Sequence, residues 1–166
     1  VCPITTHVPL KDVSKMISKK LILKKISTIN KFYRNKLKIS PKFAVTGLNP
    51  HCESNFNNSE EDRIIKPAVK KAINKKIKID GPLATDTLFI KSNVKKYDVI
   101  IGMYHDQVLT PIKTLYNFEA INITLGLPFI RVSPDHGPNN KMLGKKKSDP
   151  ASFKEALFFL KKINEN

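Results

Sequence analysis

The sequence predicts an α/β fold with a largely parallel sheet flanked by helices, and three observations carry that prediction. Short apolar runs that read as strands alternate along the chain with lysine-rich segments of helical period. Each of three histidines stands just past such a run: His7 after Val1-Cys-Pro-Ile-Thr-Thr6, His51 after Phe43-Ala-Val-Thr-Gly-Leu-Asn-Pro50, and His105 after Val99-Ile-Ile-Gly-Met-Tyr104. The chain has only 4 histidines, so three in one structural slot call for an explanation. If the strands run parallel, their C-terminal ends share the edge at which open α/β sheets hold ligands.

The elements follow in order. Leu10-Lys-Asp-Val-Ser-Lys-Met16 can open a short helix, and residues 19–37 carry Ile22, Ile26, Ile29, Tyr33 and Leu37 at helical spacing with lysines opposite. Residues 43–47 form a strand running into the polar, turn-rich loop from Asn49 to Asn58. Ser59 then caps a helix, with Asp62 in the capping-box position and Ile64, Ile65, Ala68, Val69, Ala72 and Ile73 as its buried stripe. Gly81-Pro82 marks a turn, Asp86-Thr-Leu-Phe-Ile90 a short helix, and residues 97–103 the strand that delivers His105. Residues 120–131 hold one or two strands, and Ser133-Pro-Asp-His-Gly137 a loop. Asp149 caps the last helix with Pro150 at its first position, and Phe153, Ala156, Leu157, Leu160 and Ile163 face inward.

A chain of 166 residues suits one domain able to bury a core. No apolar stretch approaches the ~20 residues needed to span a bilayer, and no secretory signal pattern is present, which leads to the expectation of a cytoplasmic protein. Because the chain begins with Val inside a strand-like run, an N-terminal part outside this sequence is expected. The net charge of +16 invites a nucleic-acid reading. Against it, only Arg34, Arg63 and Arg131 are arginines, and the lysines fall on polar helix faces without interleaved aromatics. Cys2 and Cys52 form no CxxC pair; each lies near a histidine, so ligation is conceivable beside the plainer reading as reduced thiols.

Three imidazoles gathered at one sheet edge would form a divalent-metal site with coordination positions open to a substrate oxygen. Their separations, 44 residues from His7 to His51 and 54 from His51 to His105, are too long for a zinc finger and suit a site built from separate crossover units. Asp106 can orient an imidazole, bind metal or move a proton, whereas Asp86 fits a helix cap as well as catalysis. Lys113, Asn122 and Arg131 stand among apolar neighbours, and an Arg131 fork suits a phosphate or carboxylate as well as a structural ion pair. No GxGxxG, Walker A or GxSxG sequence occurs.

Thr5-Thr-His-Val-Pro-Leu-Lys-Asp-Val13, Gly47-Leu-Asn-Pro-His51, Gly81-Pro-Leu-Ala-Thr-Asp-Thr-Leu-Phe89, Met103-Tyr-His-Asp-Gln107, Asn122-Ile-Thr-Leu-Gly-Leu-Pro-Phe-Ile-Arg131 and Ser133-Pro-Asp-His-Gly137 occur in this order. Together they resemble the C-terminal half of the 4-hydroxythreonine-4-phosphate dehydrogenase family of pyridoxal 5′-phosphate (vitamin B6) biosynthesis. The resemblance implies NAD-dependent oxidation of a secondary alcohol, followed by decarboxylation to 3-amino-2-oxopropyl phosphate. It places the metal ligands (for Zn, Mg or Co) on His7, His51 and His105, and contacts to the small phosphorylated hydroxy-amino acid on Lys113, Asn122 and Arg131. It also implies a homodimer with the site at the interface, and a fold similar to isocitrate and isopropylmalate dehydrogenases. By that analogy the Asp135-His-Gly137 loop lies along the cofactor, which makes His136 and Gly137 cofactor-side residues.

On this resemblance residues 1–166 form the metal-, substrate- and dimer-forming part of a two-domain enzyme, inactive alone. The sequence departs from the family at Cys52-Glu-Ser-Asn55, one residue shorter after Asn-Pro-His, at Val108 in place of Gly, and at Pro138-Asn-Asn140. Two alternatives stand beside this reading: a related dehydrogenase of four-carbon sugar-acid phosphates (threonate or erythronate), and a basic nucleic-acid-binding domain.

Overall fold

The computed structural model describes residues 1–52, 58–137, 140–145 and 147–165. Two stretches noted in the sequence, 53–57 of the His51 loop and 138–139 after Gly137, lie outside the described residues. The chain divides into two units, Val1–Pro111 and Ile112–Asn166.

In the first unit, strands β1 (Cys2–Pro3), β2 (Lys42–Thr46), β3 (Lys78–Leu83) and β4 (Val99–Gly102) form one sheet in the order β1-β4-β2-β3. Every pairing in it is parallel. Central strands of such a sheet are covered on both faces and read as continuous apolar runs. Accordingly Phe43, Ala44, Val45, Val99, Ile100 and Ile101 are all buried. Ala44 and Ile100 form a core cluster with Leu88, Val94 and Val108, contributed by α4 (Thr85–Leu88), α5 (Lys91–Val94) and α6 (His105–Tyr116). Val108 therefore serves packing, and its side chain fills the space that a Cβ on Gly102 would need.

Helix α1 (Val13–Met16) follows a single 3-10 turn. Helix α2 (Lys19–Phe32) is capped by Ser18 Oγ, which accepts the Leu21 N–H at 3.2 Å. Ile22, Ile26 and Ile29 are its buried face. At about 1.5–3 kcal/mol for each fully buried side chain, packing outweighs helix propensity in holding this lysine-rich segment. The single helix expected over 19–37 stops at Phe32 and passes into a π-turn, Tyr33–Leu37, which Lys38 ends in the left-handed region (φ 57°). Helix α3 (Lys66–Asn74) is likewise preceded by a π-turn, Glu61–Ile65. Ser59 Oγ accepts the Asp62 N–H at 3.2 Å, as the capping pattern predicts. Ile65, Ala68, Val69 and Ala72 are buried, but Ile73 is exposed. Helices α2 and α3 pack on one another, and α3 packs on β3.

Gly81-Pro82 is not the turn the sequence suggested. It lies inside β3, where the register against β2 shifts between Ala44 and Thr46 and accommodates one extra residue. Glycine is required at that bulge: Gly81 has φ +149°, and a Cβ there would lie 2.7 Å from the Val45 carbonyl oxygen.

In the second unit, β5 (Ile121–Thr124) and β6 (Arg131–Pro134) form an antiparallel ribbon beside helix α7 (Ala151–Asn164). Ser133 and Pro134 are thus strand, not loop. Asp149 Oδ1 accepts the Ala151 N–H at 2.9 Å, and Pro150 sits just ahead of the first helical residue. The inward face expected of α7 is corrected: Phe153 and Leu157 are exposed, while Ser152, Ala156 and Ile163 are buried. The cause is Ser152, whose Oγ donates to the Ala120 carbonyl and accepts the Asp135 N–H, turning small residues toward the ribbon. No described helix is long and apolar enough to cross a membrane.

Candidate active site

The histidine-bearing strands β1, β4 and β2 are neighbours in the sheet and parallel, so their C-terminal ends do share one edge. Pairing continues past β1, with Ile4 N–H donating to the Gly102 carbonyl and both Thr5 N–H and Thr5 Oγ1 to the Met103 carbonyl. This register carries His7 to His105: their ring centroids are 5.8 Å apart with planes tilted 43°. Both line a cleft of about 520 Å³ with Thr5, Tyr104 and Asp106. His105 Nδ1 lies 2.6 Å from Asp106 Oδ1, a contact that orients the ring and leaves Nε2 for a ligand.

His51 stands with a different carboxylate, its Nδ1 3.9 Å from Asp86 Oδ2. Asp86 does not cap α4 as the sequence allowed; Ala84 holds that position, and Asp86 accepts the Thr87 N–H from inside the first turn. Among the described residues, no three His, Cys, Asp or Glu side chains gather into one metal-holding group. The structure instead sets these residues in pairs, His7 with His105, His105 with Asp106, and His51 with Asp86.

Backbone geometry also marks these positions. His7 (φ 41°), His51 (φ 56°) and Cys52 (φ 58°) all occupy the left-handed region, which residues with a Cβ seldom adopt and which collects at functional sites. The donor chemistry fits a divalent cation. Two imidazoles on one tetrahedral ion at about 2.0–2.1 Å have centroids about 5 Å apart, near the 5.8 Å that separates His7 and His105. Burial, first, raises both the Cys2 and Cys52 thiols above their ordinary value, which keeps them protonated at neutral pH.

The second unit holds the remaining candidates. Lys113 Nζ is 3.3 Å from Asp135 Oδ2 and donates to the Asp135 carbonyl at 3.1 Å, so its ammonium is paired with the residue before His136. In the ribbon Asn122 opposes Ser133 and Thr124 opposes Arg131, which places Asn122 and Arg131 diagonally on one face. Both are exposed, and Arg131 Nη1 donates to Thr124 Oγ1 at 3.4 Å. His136 Nδ1 is 3.2 Å from the Gly137 carbonyl, and among the described residues no atom outside Gly137's chain neighbours lies within 4 Å of where a Gly137 Cβ would stand.

Sequence reasoning missed two buried residues, Gln107 and Glu61. Gln107 stood inside a quoted motif without a role. Glu61 looked like one of several acids at a helix start, yet it falls four residues before Ile65, on the buried stripe, and it is 0% exposed. An acid at a stripe position was the available signal. Its carboxylate accepts the Leu48 and Asn49 N–H groups at 2.7 and 2.8 Å and Asn49 Nδ2 at 2.9 Å. Burial alone would raise its pKa, but these hydrogen bonds outweigh burial and hold the carboxyl below the usual range.

The family model of the pyridoxal phosphate biosynthetic protein PdxA matches residues 1–160. Over 159 residues the chain is 49% identical to the 4-hydroxythreonine-4-phosphate dehydrogenase of Sulfurihydrogenibium sp. (strain YO3AOP1), covering 95% of this chain and 49% of that protein. A protein of Oceanobacillus iheyensis named "Putative D-threonate 4-phosphate dehydrogenase" is 40% identical over 159 residues, 95% of this chain and 48% of its own length. The crystal structure of 4-hydroxythreonine-4-phosphate dehydrogenase from Klebsiella pneumoniae superposes with a TM-score of 0.81 at 35% identity, covering 96% of this chain and 49% of that chain. The chain thus spans about half the length of the curated relatives it matches.

Proposed function

The chain belongs to the family of the pyridoxal phosphate biosynthetic protein PdxA, and on that premise we propose that it forms the metal- and substrate-binding part of an NAD-dependent 4-hydroxythreonine-4-phosphate dehydrogenase. The reaction is oxidation of the substrate's secondary alcohol and decarboxylation to 3-amino-2-oxopropyl phosphate. The observation that carries the reading is 49% identity, over 95% of this chain, to a relative of that name.

His7, His51 and His105 would hold a divalent metal, with the third ligand of each site brought by a second copy of the chain. The bound metal supplies Lewis-acid polarisation of the substrate oxygen, and NAD supplies the hydride acceptor. Asp106 holds the His105 ring through Nδ1. Asp106 and Asp86 are the carboxylates placed beside metal histidines, and so the candidates to move the hydroxyl proton. Arg131, Lys113 and Asn122 bind the substrate's anionic and polar groups, with the Arg131 fork suited to phosphate. His136 and Gly137 lie along the cofactor.

The relative from Oceanobacillus iheyensis favours a second reading within the same chemistry, a D-threonate 4-phosphate substrate that lacks the amine. Steady-state assays of the full-length polypeptide decide between them. Reduction of NAD that needs 4-hydroxythreonine 4-phosphate and is abolished by EDTA supports the first reading. Turnover of D-threonate 4-phosphate alone replaces it with the second, and no metal-dependent turnover of either refutes both.

A further inference from the structure

Two buried polar side chains outside the catalytic reading grip the backbone of the loop that carries His51. Gln107, in the first turn of α6, is 8% exposed and uses its whole side-chain amide. Its Oε1 accepts the Met103 N–H at 2.6 Å and the Thr46 hydroxyl at 2.9 Å. Its Nε2 donates to the Gly47 carbonyl at 2.7 Å and to Thr85 Oγ1 at 3.1 Å. These partners are the end of β4 two residues before His105, the end of β2 where the His51 loop opens, and the residue before Asp86. Met103 in turn accepts from Thr5, two residues before His7.

Glu61 holds the next residues of the same loop, taking the Leu48 and Asn49 N–H groups and the Asn49 side chain. Gly47 lets the chain pass close: a Cβ there would lie 2.7 Å from Cys52 Sγ and 3.0 Å from Glu61 Oε1. The loop then enters two successive left-handed residues, His51 and Cys52. A segment free to relax would not keep that backbone; it persists where surrounding bonds over-determine it.

We propose that Gln107 and Glu61 are positioning residues that fix the Gly47–His51 segment against the ends of β4 and α4, and so set where the His51 imidazole stands. The inference rests on the metal-dependent reading above and goes beyond it, since that reading assigns neither side chain to metal, substrate or cofactor. Outer partners that orient a metal ligand typically change metal affinity 10- to 100-fold when lost, whereas a purely structural role would change only stability.

The test is cobalt(II) titration of the full-length protein, read by visible absorption at a temperature where every variant is folded, with apo thermal unfolding beside it. His51→Ala sets the reference for loss of the ligand. Gln107→Met and Glu61→Ala are expected to bind cobalt about 10- to 100-fold more weakly, with a shifted absorption spectrum. Glu61→Gln, which keeps one acceptor oxygen and the shape, falls between these and wild type, and it decides for Glu61 if the alanine variant does not fold. Wild-type affinity and spectrum in Gln107→Met and Glu61→Gln, with only the unfolding midpoint lowered, would overturn the proposal. Wild-type cobalt binding in His51→Ala would instead remove the metal reading, and this inference with it.

Discussion

The imidazoles of His7 and His105 lie 5.8 Å apart, centroid to centroid, because β1 pairs in parallel with β4 with Pro3 beside Gly102. Two short strands from opposite ends of the first unit are thus all that is needed to pair two imidazoles. If that pair is the protomer's contribution to a metal site, His7→Ala and His105→Ala should each weaken cobalt or zinc binding at least about 100-fold, more than an outer-partner change. Isothermal titration of the full-length protein measures this, and unaltered affinity in both variants would sink the metal assignment.

Asp106 acts on the same pair through His105 Nδ1. Asp106→Asn keeps the size of the side chain but replaces a carboxylate partner with a neutral amide. It should lower metal affinity about 10- to 100-fold without a change in fold. Circular dichroism alongside the titration separates the two effects.

Glu61 gives stability a pH dependence whose sign follows from its partners. Its carboxyl is held below the ordinary value in the folded state. The stabilisation is therefore present above the unfolded-chain value of about 4.5 and is lost as pH falls through the lower folded value. Urea unfolding of wild type and Glu61→Gln should show a stability gap that is constant near neutral pH and shrinks on acidification below about pH 4.5. A gap that stays constant or widens would contradict the assignment.

Gly81 tests the bulge in β3. An alanine Cβ would meet the Val45 carbonyl oxygen at 2.7 Å, a backbone atom that cannot move aside, at a φ of +149°. Gly81→Ala should cost at least about 1–3 kcal/mol in chemical denaturation. A neutral effect would mean that β2 and β3 can slide past one another.

Arg131 is the residue whose fork should matter for the phosphorylated substrate. Arg131→Lys keeps the charge and loses the bidentate geometry. Loss of one charged hydrogen bond, about 1.5–3 kcal/mol, corresponds to roughly a 10- to 100-fold rise in KM. Full-length kinetics in which kcat falls and KM does not would place Arg131 outside substrate binding.

Much of the first unit was legible because its signals are local. Val99-Ile-Ile101 is an unbroken apolar run because both faces of a central parallel strand are covered, and Ser59 is a cap visible from one residue. Misreadings came where local pattern and tertiary demand diverge. Gly81-Pro82 has turn composition but serves a bulge in β3, and Phe153 and Leu157 keep helical spacing while the Ser152 hydrogen bonds turn another face of α7 inward. Glu61 left only its place on the buried stripe as a signal and Gln107 left none, since their hydrogen-bond partners are remote in the chain.

By itself, the sequence determined the strand–helix alternation and the position of each histidine past a strand end, because side-chain period and chain punctuation are encoded residue by residue. The family resemblance was likewise readable from ordered motifs. Only the tertiary structure decided that β1, β4 and β2 are neighbours, that His7 meets His105 while His51 stands with Asp86, and that Gln107 ties the strand ends together. Those outcomes depend on hydrogen bonds and register between segments distant in the chain. No local pattern specifies which strand lies beside which.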